Sequence, residues 1–255
     1  MQYKERVPDE LFDEDHYLGR PADLTDKIVS RRIHIVEQFP GFTGKQYTYL
    51  DIGCGNGASI FLLSKKMGSC VGIDIVNDYE QDINDYLEKN DITNCRFQCV
   101  DIEKDISALP QQFDRITSFE VIEHLHDENN VAVYGKLLKD DGLMAISVPN
   151  KWWIFETHGA KLPLLPWNRV PFFSWLPRFL HERWANARIY TKGRIIRLLE
   201  RNGFEVVHSA YITAPMDVLK EGKLKRFLVK NFFRNDTTQS PFKSTAILVI
   251  ARKKK

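Results

Sequence analysis

Two short stretches carry residue types at spacings that suit chemistry. The first, Asp51-Ile52-Gly53-Cys54-Gly55-Asn56-Gly57, sets an acid at the end of an apolar run and then three glycines at alternate positions. Glycine reaches φ > 0 without steric cost and lets a ligand lie against the backbone. A helix starting near Ala58 would point its free amides and positive dipole end at that ligand. A glycine-rich turn without function is the alternative, and the spacing is not the G-x-G-x-x-G of dinucleotide folds. The second stretch is Glu120-Val121-Ile122-Glu123-His124. One helical turn would bring its two carboxylates and its imidazole to one side. Such a set suits a divalent cation, and His124 alone suits a general base at neutral pH.

The elements around these stretches read as alternating strands and helices. Strands are expected at about 47–53, 69–75, 95–101, 113–119, 142–148, 204–211 and 246–251. Helices are expected at about 21–39, 57–67, 78–90, 128–139 and 191–202, the last capped by Thr191 with Gly203 beyond its end. Alternation of this kind argues a parallel sheet with right-handed crossovers. Asp74 then falls at a strand's carboxyl end, about twenty residues past the glycine turn, where a ribose-binding acid sits in doubly wound sheets. Asp74 and Asp101 also have a plain reading as helix N-caps.

Taken together, the segments resemble the class I S-adenosylmethionine (SAM) methyltransferases. Asp51 to Gly57 looks like their motif I. Ser69-Cys70-Val71-Gly72-Ile73-Asp74-Ile75, Cys95-Arg96-Phe97-Gln98-Cys99-Val100-Asp101-Ile102 and Phe113-Asp114-Arg115-Ile116-Thr117-Ser118-Phe119-Glu120 follow in the family's order, covering about residues 45–150. The resemblance implies an α/β, Rossmann-like, seven-stranded sheet with helices on both faces and strands six and seven at an antiparallel edge. It implies SAM as cofactor and S-adenosylhomocysteine as product. The cofactor would lie on Asp51, Gly53, Cys54, Gly55, Asn56 and Gly57. Asp74 and Ile75 would meet the ribose, Asp101 and Ile102 the adenine, and Phe119 and Glu120 would stand near the methyl group.

E-x-x-E-H after the fourth strand resembles two subgroups, the ubiquinone-biosynthesis O-methyltransferases and the small-RNA 2′-O-methyltransferases. That resemblance implies a Mg²⁺ or other divalent cation held by Glu120, Glu123, His124 and a later histidine. His181 fits the pattern better and His158 is the alternative. A metal-free enzyme with His124 as base stays open, and so does Asn150 as a hydrogen-bond donor to the acceptor or as a turn residue.

The whole chain bounds these readings. Its 255 residues are 43% hydrophobic and 27% charged, enough for a real core in one large domain or a domain with an insertion. Expected divisions are an arm and helix over 1–40, the SAM core over 41–150, a cap over 151–190 and a C-terminal part over 191–255. A net charge of +2 does not by itself argue for nucleic acid. Cys54, Cys70, Cys95 and Cys99 form no C-x-x-C pair and read as buried free thiols in a reducing compartment. Residues 1–15 lack the pattern of a signal peptide, and no run of 18 apolar residues exists.

After Asn150 the composition shifts. All five Trp lie between 152 and 184, and five of the eleven Pro between 149 and 177. This is too proline-broken for a long helix, and in the family such insertions cap the acceptor pocket. From 223 to 255 there are ten Lys/Arg against one acid, and residues 223–234 alternate Leu and Phe with Lys and Arg. An aromatic flap over 152–180 beside a basic amphipathic helix reads as a surface for a membrane, or as a cap whose aromatics bury against each other. The expected activity is therefore O-methylation of a small or lipid-linked acceptor such as a quinone precursor or polyprenyl-linked glycan. The place is the cytoplasm or the inner face of its membrane. RNA is the less favoured acceptor, and a non-catalytic SAM-binding scaffold is the alternative of another class.

Overall fold

The computed structural model describes residues 24–109, 112–162, 165–167 and 171–254. The expected arm over 1–20 and the end of the Lys253–Lys255 tail lie outside these residues, as do parts of the cap.

α1 (Lys27–Gln38) starts at Asp26, whose carboxylate accepts from the Ile28 and Val29 amides, and stops before Pro40-Gly41. β1 (Gly44–Ile52) feeds the glycine turn and α2 (Ala58–Ser64). β2 (Met67–Asp74), α3 (Glu80–Lys89), β3 (Cys95–Cys99) and β4 (Phe113–Phe119) follow. The helix expected over 128–139 is mostly a 3₁₀ segment, Glu128–Val133, with one α turn, α4 (Tyr134–Leu137). β5 (Leu138–Pro149) begins four residues earlier than the sequence suggests, because Lys139, Asp140 and Asp141 read as a surface turn yet extend the strand. The cap contributes a small hairpin, β6 (Ala160–Leu162) and β7 (Leu165–Trp167), and α5 (Arg178–Trp184). α6 (Lys192–Arg201), β8 (Phe204–Thr213), α7 (Lys223–Phe232), β9 (Thr237–Thr238) and β10 (Ser244–Lys253) complete the chain.

The sheet has eight strands in the order β3-β2-β1-β4-β5-β10-β8-β9. The expected seven are present, and the two residues of β9 add an eighth by pairing with β8. Strands β1 to β5 are parallel. β10 is antiparallel to both β5 and β8, and β9 is antiparallel to β8, so β8 runs with β5 while β10 and the short β9 run against them. Alternate side chains on each strand enter separate cores on the two sheet faces. Leu50, Ile52, Val71, Ile73, Ile116 and Ile146 build one, under α6. Tyr49, Cys70, Ile60, Ile83, Leu248 and Ile250 build the other, under α1, α2 and α3.

Chain order reverses between β1 and β4, and ligands of open α/β sheets bind outside the strand ends at such a switch point. Asp51, Asp74 and Glu120 all stand at that end. α1 is tied across it. Arg31 donates to the carbonyls of Thr213 at 2.6 Å and Phe233 at 2.7 Å, and His34 pairs with Asp236. The cysteines are free, but only Cys54 and Cys70 are buried; Cys95 is half-buried and Cys99 exposed on the edge strand, so the expectation of four buried thiols is corrected.

Candidate active site

The turn after β1 takes the shape its glycines permit. Gly53, Gly55 and Gly57 have φ of +70°, +49° and +83°. The Gly55 amide donates to Asp74 Oδ2 at 2.9 Å, and the Gly53 and Cys54 amides donate to the Ile73 carbonyl at 2.8 and 2.9 Å. Glycine is required twice over, since a Cβ on Gly53 would overlap Val121 Cγ2 and one on Gly57 would lie 2.8 Å from Phe61 Cζ. Asn56 accepts from the Ala58 amide at 3.4 Å. Asp51 is buried and accepts from Thr117 Oγ1 at 2.5 Å; burial raises its pKa to about 7 against that hydrogen bond. Burial also raises Asp74, although it accepts from the Gly55 and Val76 amides. Asp101 accepts from the Glu103 amide at 3.0 Å and pairs with Lys104 at 2.9 Å. Ile75 and Phe119 are half-buried beside the loop's strands, and Ile102 is buried in the core.

The Val121 contact places the E-x-x-E-H stretch directly against the glycine turn. Its backbone is not the expected helical turn. Glu120 has φ +58° and a 3₁₀ turn begins only at Ile122. Left-handed φ is unusual for a glutamate and marks a position the surroundings enforce. Here β5 enforces it. The Glu120 amide donates to the Ser147 carbonyl at 3.0 Å, and Ser147 Oγ donates to Glu120 Oε1 at 2.8 Å. Arg32, from α1, completes the clamp at 3.0 Å from the same oxygen. Sequence reading passed over Arg32. The available signal was its position four residues from both Ile28 and Val36, on the helix's apolar face, where a charge needs a partner.

Glu123, His124 and His158 offer donor atoms that all lie within 4.8 Å of one another. His158 Nε2 is 3.4 Å from Glu123 Oε1 and 3.8 Å from Glu120 Oε2. Glu123 is 2% exposed and neither carboxyl oxygen has a hydrogen-bond donor among the described residues. Burial first, and the Glu120 charge second, hold its pKa well above the usual carboxylate range. An orphaned carboxyl facing two imidazoles and a second acid fits a divalent cation, because the cation would supply the missing partner.

The structure brings His158 to this cluster and keeps His181 away from it. His181 is fully buried with Nε2 2.7 Å from Glu156 Oε2, and that pair anchors the cap instead. Ser174 also donates to Glu156, and Glu156 in turn accepts from the His158 amide at 3.1 Å. Arg188 holds the other side of the site by donating to the carbonyls of Leu125 at 2.5 Å and His126 at 2.8 Å.

Asn150 is committed to structure. Its amide donates to the Pro241 carbonyl at 2.7 Å and the Ser244 carbonyl at 2.8 Å, which leaves no side-chain N–H for an acceptor. Asn150→Ala should therefore cost about 2 kcal/mol of stability, read as a lower unfolding midpoint in urea. Turnover per folded molecule should change less than about threefold; a hundredfold loss with unchanged stability would return Asn150 to the chemistry.

Comparison with known proteins decides the family. A profile described as "Methyltransferase domain" matches residues 43–203, which is more than half of the chain. The chain belongs to the SAM-dependent methyltransferase family. Its cofactor is SAM. This methyltransferase is 34% identical over 191 residues to the ubiquinone biosynthesis O-methyltransferase of Glaesserella parasuis, covering 69% of this chain and 77% of that protein. It is 27% identical over 148 residues to the enzyme of the same name from Neisseria meningitidis, covering 57% of this chain and 60% of that one. The chain thus matches less than two thirds of the latter's length. The methyltransferase also shares its fold with the N-methyltransferase NodS of Bradyrhizobium japonicum, solved with S-adenosylhomocysteine, at TM-score 0.60 and 13% identity over the whole of both chains.

Proposed function

We propose that the methyltransferase transfers the methyl group of SAM to a hydroxyl oxygen of a small or lipid-linked acceptor, assisted by a divalent cation. The observation that carries the reading is the cluster of Glu120, Glu123, His124 and His158 packed against the glycine turn through Val121. SAM supplies an electrophilic methyl, and displacement from its sulfonium needs mainly alignment. The glycine turn, Asp51 and Asp74 are suited to fix the cofactor. The acceptor hydroxyl must lose a proton near the transition state. Glu120, Glu123, His124 and His158 would hold the cation, which lowers the pKa of a bound hydroxyl. Two imidazoles among the ligands favour Mn²⁺ or Zn²⁺ over Mg²⁺. Addition of EDTA should stop turnover without weakening SAM binding, and Mn²⁺ should restore it. Full turnover in EDTA, with His124→Ala inactive, would make the enzyme metal-free with His124 as base.

A lipid-linked acceptor is favoured by one surface. Phe172 and Trp175 of the cap meet at 5.0 Å, Trp175 meets Phe242 at 5.9 Å, and Lys243 sits 5.4 Å over Phe232 of α7, which meets Phe227. These five aromatics are 40–58% exposed. The inner side of α7 packs on Trp153 and Met216 through Leu228 and Val229, while Leu224, Phe227, Arg226 and Lys230 face outward. Contiguous exposed apolar area rimmed by cations suits an interfacial site on an anionic bilayer. No helix among the described residues is long and apolar enough to cross a membrane. In flotation assays the protein should rise with vesicles containing anionic lipid at low salt and less so in 0.5 M salt, where the Debye length is about 4 Å. Absence of any association at low salt would remove the membrane from the account.

A further inference from the structure

Asp51 ends a chain of hydroxyls that crosses the sheet. Tyr49 and Asp51 are two residues apart on β1 and so share one face. Thr117 on β4 is the register partner of Asp51. Thr117 Oγ1 donates to Asp51 Oδ1 at 2.5 Å, and Tyr49 OH lies 2.5 Å from Thr117 Oγ1. The Thr117 proton is spent on Asp51, so Tyr49 donates in the second bond. All three residues are at most 2% exposed. Valine and phenylalanine would fill these places in a sheet core without any polar cost, so the two hydroxyls need a partner that repays their burial.

We propose that Thr117 and Tyr49 are positioning residues of the cofactor site, which hold Asp51 ionised and oriented toward the cationic end of SAM. The proposal rests on the reading of residues 51–57 as the SAM loop. A carboxylate is a stronger acceptor than a carboxylic acid, so a donor chain ending on Oδ1 favours the charged form. The opposing influences are burial and the Asp74 charge at the end of β2; Arg32 of α1 joins the two hydroxyls on the other side. The Cys54 and Cys70 thiols also face Asp51 and are held neutral, their pKa values raised, in Cys54 chiefly by burial and in Cys70 chiefly by its hydrogen bond with Cys95. The resulting balance leaves Asp51 titrating at about 7 in the ligand-free protein. SAM binding near neutral pH then releases a proton from Asp51.

The test is a ¹³C-carboxylate NMR titration of the ligand-free protein, with Asp51→Asn identifying the resonance. Thr117→Val should raise the Asp51 midpoint by about one pH unit, the worth of one hydrogen bond to a charge. Tyr49→Phe should raise it less, and Thr117→Ser should restore it. Calorimetric titration with SAM at pH 6.5, in two buffers of different protonation heat, should show Thr117→Val binding roughly five- to tenfold more weakly, as that shift implies, and releasing more protons. If Thr117→Val does not fold, Tyr49→Phe carries the same comparison. An Asp51 midpoint unmoved in these variants, with SAM binding intact, overturns the relay alone. Absence of SAM binding by the wild-type protein at every pH overturns the reading of the loop instead, while the carboxylate titration still reports on the hydroxyls.

Discussion

Gly55→Val should abolish SAM binding in a protein that remains folded. Gly55 has φ +49° and donates its amide to Asp74 Oδ2 at 2.9 Å. A β-branched residue is an outlier in that conformation, and the strain is about 1–3 kcal/mol. The chain relieves it by moving the turn, which withdraws the donor from Asp74 and the backbone from the ligand. The added side chain also fills space that a cofactor lying on the turn needs. Calorimetric titration should therefore show at least a hundredfold loss of affinity by the conversion of about 2.7 kcal/mol, with circular dichroism close to wild type. Gly53→Val is the harsher change, because its Cβ overlaps Val121 and the damage spreads to the E-x-x-E-H stretch. SAM affinity unchanged in folded Gly55→Val would remove the loop from the site.

Glu123→Gln trades activity for stability. Glu123 is buried without a hydrogen-bond donor among the described residues, and its pKa is raised by burial and then by Glu120. A raised carboxyl favours the folded state fully below its unfolded pKa, and that contribution is lost as pH rises through the folded value. Glutamine removes the titration. In EDTA the variant should therefore gain on the wild type as pH rises from 5 to 8, measured by urea denaturation. Mn²⁺ should reverse the order, because it binds the wild-type folded state and stabilises it by mass action. Turnover should fall by about 10²–10⁴-fold, the scale of lost assistance to proton removal from the acceptor. Equal stability of the two proteins at pH 8 with and without Mn²⁺ would show that Glu123 meets no cation.

The sheet was legible because its strands are short apolar runs closed by glycine, acid or proline. The glycine turn was legible as a turn from its three alternate glycines, and as a candidate cofactor loop only with the strand segments that follow it in order. The residues missed are those whose role depends on which distant segment returns. Along the chain His181 fits the pattern better than His158; only the fold shows that His158 faces Glu123 and that His181 pairs with Glu156 instead. Arg32 lies on the apolar face of α1, but the partner its charge needs is known only once Glu120 is placed opposite it. Phe242 and Lys243 lie in a 3₁₀ turn with no pattern of their own, yet they join the cap aromatics to α7. Glu120 at φ +58° was out of reach because its strain is imposed by Ser147, 27 residues away.

The most direct measurement is transfer of an isotopically labelled methyl group from SAM into fractionated cell extract, with Mn²⁺ and with EDTA. The account predicts label in the organic-solvent or small-molecule fraction, carried as a methyl ether, and lost in EDTA. Label in RNA, label bound to nitrogen, or labelling undiminished by EDTA would contradict it.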